Sequence, residues 1–155
     1  MNLSQQLAQR YREVILDGKW IANTNFQDQL ADVTWEESIQ QVATLNTLAA
    51  LTFHIGYYTA GLNQVFAGGD LEIRDRFSFD FSPIESPQDW DQLRNQLWTG
   101  AAEFVEHLER MPESQLSEGF VKPEYGTYLR NIEGMIEHAY YHLGQVVLIK
   151  KLIRQ

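Results

Sequence analysis

The stretch from about Thr127 to Ile153 constrains this fold most. Ile132, Met135, Ile136, Leu143, Val146, Val147, Ile149 and Leu152 recur three and four residues apart. That spacing predicts one long helix with an apolar stripe. Lys150, Lys151 and Arg154 gather at its end, where cations complement the negative pole of a helix. A stripe of this kind must be covered, and the rest of the chain offers more helices to cover it.

The first predicted helix runs from about Asn2 to Asp17, with Leu3, Leu7, Tyr11 and Val14/Ile15 on one face and Gly18 as its stop. Phe26, Leu30 and Val33 are expected to pin the following connection onto the bundle. Thr34-Trp35-Glu36-Glu37 matches a capping box, so a second helix is predicted from Thr34 to about Gly68-Gly69. Ser86-Pro87-Gln88-Asp89 starts a third, with Trp90, Leu93, Leu97, Ala101, Phe104, Leu108 and Met111 inward and Pro112 beyond its end. The fold class expected is all-α: a four-helix bundle in one domain spanning residues 1–155, with a long crossover between helices 2 and 3. Within that crossover Phe77, Phe79 and Phe81 alternate with Ser78 and Asp80, a strand-like pattern. It reads as an extended flap or as part of a dimer contact.

Composition narrows the chemistry. The chain has 155 residues, no cysteine and a net charge of −9. Disulfides, thiolate metal ligands and a cysteine nucleophile are therefore excluded, and the set fits a reducing, cytoplasmic setting. The acidic balance argues against nucleic acid as a partner. The opening residues lack a basic region followed by an apolar run, so no signal peptide is expected. The apolar stretch from Ala43 to Ala67 is interrupted by Asn46, His54, Asn63 and Gln64 and reads as a buried helix rather than a membrane span.

His138 and His142 lie on the last predicted helix, four residues apart. Such residues share a face, with Cβ atoms roughly 5–6 Å apart. An i,i+4 histidine pair is a recognised way to hold a transition metal. A third ligand must come from elsewhere, and His54 on the second helix is the candidate. Zinc, nickel, iron and manganese are the metals considered; three histidines with an open position are a catalytic rather than a structural set. Gln145 and Tyr58 are candidate partners for the ligands, since metal-bound histidines usually donate their second N–H. Tyr58, one turn from His54, is also the candidate donor to a substrate oxyanion or bound water. Gly56 and Gly61, either side of His54, would let another helix come close. Ala139 occupies the position of the general base in the His-Glu-x-x-His motif of zinc peptidases, so that chemistry is not expected. His107, aligned with Glu103 and Arg110, reads as a surface residue. Tyr57, Tyr140 and Tyr141 read as packing residues.

The run His138-x-x-x-His142-x-Gly144-Gln145 late in the chain, with the isolated Phe53-His54-Ile55 in an earlier helix, resembles the DinB/YfiT-like superfamily. The resemblance implies a four-helix bundle, a metal held by His54, His138 and His142, and often a homodimer. It also implies a metal-dependent enzyme, a transferase or hydrolase, of which the most concrete form is S-transfer or isomerisation with a low-molecular-weight thiol and a small-molecule substrate. Two readings stand beside it. One is a non-catalytic, dimeric stress-response bundle that binds a metal or ligand; the other is a purely structural bundle whose histidines fill the core. The first helix and the Phe77–Phe81 segment are the surfaces expected to mediate a dimer.

Overall fold

The computed structural model describes all 155 residues. It is helical throughout, with six helices and no strand: α1 (Leu3–Ile15), α2 (Phe26–Leu30), α3 (Trp35–Ile39), α4 (Leu48–Phe66), α5 (Pro87–Arg110) and α6 (Tyr128–Ile153). The four long helices close a ring in which α1 and α4 each pack on both α5 and α6. One continuous apolar core fills it, from Leu7 and Tyr11 on α1 to Val146 and Ile149 on α6. Tyr11 reaches across that interior, its hydroxyl 2.6 Å from Thr59 Oγ1 on α4. No helix is long and apolar enough to cross a membrane.

The helix starts follow the local chemistry. Asn2 and Gln5 form a capping box on α1, Ser86 caps α5 with Pro87 in its first turn, and Thr127 caps α6. The end of α4 is equally local. Gly68 has φ 91°, its N–H donates to Val65 O, and the Gly69 N–H donates to Gln64 O. This is the paired closure of a Schellman motif, and glycine meets the left-handed backbone at low cost.

The second predicted helix is two helices. Gln40 turns to extended backbone after α3, Ala43 has φ 47°, and Thr47 provides a fresh N-cap by accepting from the Ala50 N–H at 3.1 Å. The Thr34 capping box is present, but it starts only the five-residue α3. Tertiary contacts tie α3 to the bundle. Glu37 both closes that box and binds Arg154 on α6, Nε to Oε1 at 2.9 Å and Nη2 to Oε2 at 3.0 Å. Arg154 also donates to Asp32, and Lys150 donates to Asp32 Oδ1 and to Gln29 O, each at 2.6 Å. Arg94 and Trp90 of α5 donate to Leu30 O and Val33 O, both at 2.8 Å. The exposed carbonyls ending α2 thus take donors from α5 and α6, and the short helices are fastened along the bundle. Lys150 and Arg154 form this clasp, beyond their expected part in the helix dipole; Lys151 takes no part in it.

The Phe77–Phe81 segment forms no strand. A 3-10 turn spans Asp75–Phe77, and the rings separate: Phe81 stacks on Phe53, Phe79 stacks on His54, and Phe77 lies under the Arg76 guanidinium. Leu152, expected in the core, is 37% exposed.

Candidate metal centre

His54 lies in the middle of α4, and His138 and His142 lie one turn apart on α6. Packing of α4 on α6 brings the three rings together. His138 Nε2 is 3.1 Å from His54 Nε2 and 2.8 Å from His142 Nε2. Nitrogens held about 2.0–2.1 Å from one ion sit roughly 2.9–3.4 Å apart for bond angles of about 90–109°. These two spacings lie close to that range, the three ligand nitrogens all lie within 4.8 Å of one another, and the histidines form a cluster that could hold a metal ion.

The outer nitrogens decide what the inner ones can do. His54 Nδ1 is 3.2 Å from Ser78 O, and His142 Nδ1 is 2.6 Å from Gln145 Oε1. An amide or peptide oxygen only accepts, so each Nδ1 carries the proton. Each Nε2 therefore presents a lone pair to the centre. His138 Nε2 can give at most one proton to two such neighbours. The arrangement lacks positive charge, and a cation would complete it.

The surroundings disfavour protons as that cation. His54 and His142 are buried and His138 half-buried. Desolvation lowers all three pKa values. That of His138 is pushed down to about 4, by burial first and then by His142 and His54. The histidines are neutral at pH 7 and ready to ligate.

Gln145 stands where the sequence places it, on His142. Tyr58 reaches the site by its ring, edge-on to His54 at 5.0 Å and to His138 at 5.4 Å. Its hydroxyl donates to Asp75 Oδ1 at 2.8 Å, and burial with that hydrogen bond raises its pKa. Tyr58 thus braces the α4–α5 connection, as does Tyr57, whose hydroxyl donates to Arg74 O and accepts from Arg74 N–H. Phe79 covers His54, with ring centroids 4.2 Å apart and planes 11° from parallel. Ser78, Phe79 and Asp75 had no signal in the sequence as site residues, because a backbone carbonyl and a loop ring acquire a role only when the loop is placed. The two glycines divide: a Cβ on Gly56 would meet Leu97 of α5 at 4.0 Å, while one on Gly61 would strike Ile73 of the α4–α5 connection at 2.4 Å. A helix comes close at Gly56, and the connection, rather than a helix, at Gly61. His107 is half-buried, 3.7 Å from Glu103 and edge-on to Phe66, rather than fully on the surface. It takes no part in the cluster.

The fold and site define an all-helical protein with a buried three-histidine cluster suited to a metal ion. Comparison with protein-family models, with curated proteins and with solved structures finds no match. The functional reading therefore rests on this geometry and on the resemblance of its motif.

Proposed function

We propose that this chain is a metal-dependent enzyme of the DinB-like kind, with His54, His138 and His142 as ligands of a divalent transition metal such as zinc, nickel, iron or manganese. The observation that carries this reading is the convergence of the Nε2 lone pairs while two Nδ1 protons are held by Ser78 O and Gln145 Oε1. A bound metal with three neutral ligands supplies Lewis acidity, which favours the thiolate form of a thiol or polarises a carbonyl. The chain's own residues do the rest. Gln145 and Ser78 fix ring tautomer and orientation, and Phe79 shields His54 from water. The activity proposed is S-transfer or isomerisation of a small molecule with a low-molecular-weight thiol, in a cytoplasmic homodimer with the helix 2–3 crossover of that superfamily. Tyr141, Leu148 and Phe79, at 65%, 54% and 43% exposure, offer surface for the dimer. Most of the apolar face of α1 is buried in the core.

A non-catalytic metal-holding role is favoured by the make-up of the cluster, which contains no carboxylate; the hydroxyl of Tyr58, whose ring touches the site, is engaged by Asp75. Metal content of untagged, chelator-free protein tests the common core of both readings. Near-stoichiometric metal, lost in the His138→Ala/His142→Ala double variant, is the expected result. Wild-type protein that neither carries nor takes up zinc, nickel or manganese would overturn both. Turnover of thiol and electrophile by loaded protein separates the enzyme from the holder.

A further inference from the structure

A cleft of about 360 Å³ opens beside the histidine cluster, and His138 forms part of its wall. Tyr58, Leu62 and Met135 give it an apolar interior, and Tyr125, Asn131 and Arg130 stand around it. A larger groove of about 930 Å³ between α4 and α5 is lined by amides such as Asn63, Gln64, Asn95 and Gln96 and includes no histidine of the cluster. The smaller cleft is the one that joins the chemistry.

Arg130, which is exposed, is the one arginine or lysine in this cleft. Its guanidinium makes no ion pair and no side-chain hydrogen bond, although Glu124 also lines the cleft. Arg12, Arg94, Arg110 and Arg154 pair with carboxylates, whereas the Arg130 guanidinium, like those of Arg10 and Arg74, is free. Its stem is nevertheless placed. Gly126 has φ 73°, and a Cβ there would lie 2.8 Å from Arg130 Cδ. Only glycine both accepts that backbone and leaves room for the stem. Gly134, one turn before His138, lines the same cleft, and a Cβ there would meet nothing within 4 Å. Packing does not require glycine at this mid-helix position, and a side chain would occupy the cleft.

We infer that this cleft admits the substrate and that Arg130 holds the carboxylate of a small mercapto acid whose sulfur end is directed past Tyr58 and Met135 to the histidine cluster. The inference rests on the proposed metal site and names its substrate class. A guanidinium fork matches a carboxylate in a bidentate pair, and the apolar walls suit a short hydrocarbon body between the two ends.

The test uses full-length protein loaded with cobalt(II), whose thiolate charge-transfer absorption reports sulfur at the metal. The probes are 3-mercaptopropionate and its uncharged analogue 3-mercaptopropionamide. In wild type the acid should bind on the order of tenfold more tightly than the amide, the scale of one charge-assisted hydrogen bond. Arg130→Gln should bring the two affinities together while cobalt(II) and amide affinities hold. Gly134→Leu should weaken both thiols and leave cobalt(II) bound. Equal affinities in wild type, a preference that survives Arg130→Gln, or undiminished binding by Gly134→Leu would each overturn the inference. Cobalt(II) bound without any thiol band overturns it while the metal site stands. Failure to bind cobalt(II) removes the metal site and the inference together.

Discussion

Helix α6 carries polar groups at two places, and they are treated in opposite ways. Near its C-terminus, Lys150 and Arg154 meet Asp32, Glu37 and the Gln29 carbonyl. Lys150 and Arg154 each meet an opposite charge there, and Asp32 stays exposed. Two to three turns earlier, His138 and His142 face His54 with their Nε2 atoms converging, in surroundings that oppose protonation. The clasp is complete in itself. The histidine cluster is complete only with something positive at its centre. Ordinary buried polar groups are satisfied by the protein, so a converging set of acceptors points to a ligand rather than to stability.

Breaking the cluster should produce the largest effect, on metal rather than on folding. His142→Ala should reduce zinc affinity by more than the roughly 10–100-fold that loss of an outer partner costs, measured by competition with a chromophoric chelator. Saturating zinc should raise the wild-type melting temperature, since ligand at 100 times Kd adds about 2.7 kcal/mol. It should leave His138→Ala unmoved. An equal zinc shift in both proteins would mean that the three histidines are core residues.

Gln145→Ala sharpens the same contrast. It removes the acceptor that fixes the His142 tautomer, and zinc affinity should fall by about 10–100-fold. Metal-free melting should hold within about 1 kcal/mol, the scale of one hydrogen bond.

The two regions should also answer to acid in different windows. In metal-free protein the histidine pKa values lie below the ordinary 6.5, with His138 near 4. The unfolded chain therefore binds protons first. Stability should be full above about pH 6.5 and decline as pH falls toward 4. In the clasp, hydrogen bonds from Lys150 and then Arg154 hold the Asp32 carboxyl down to about 2 from 3.8. Its contribution should persist to about pH 3.8 and fade only as pH approaches 2. Urea melts across pH read both, and zinc should flatten the upper decline by competing with protons.

Asp32→Ala should cost roughly 1 kcal/mol, because exposed pairs are individually weak and this one removes two partners. Added salt should shrink that loss, whereas the histidine variants should respond little. The smallest change is between the two regions. Gly144 is exposed, with nothing within 4 Å of a Cβ, so Gly144→Ala should stabilise α6 by about 0.5–1 kcal/mol. A loss of zinc binding in that variant would show that the position serves the site.

What the sequence determined by itself is local. Capping residues at Asn2, Thr34, Ser86 and Thr127, the Gly68-Gly69 stop, the inward face of α5 and the shared face of His138 and His142 depend on neighbours within about a turn, and helix geometry converts their spacing into position. Tertiary structure decided the rest. α3 is a separate short helix, tied to Arg154 far away in the chain. The Ser78 carbonyl and the Phe79 ring reach His54 from the α4–α5 connection, which Tyr57 and Tyr58 help to hold. Tyr58 itself, a donor by helical phase, is claimed by Asp75 from that same loop. Backbone carbonyls occur at every residue, and long-range partners leave no periodic trace, so packing alone assigns them.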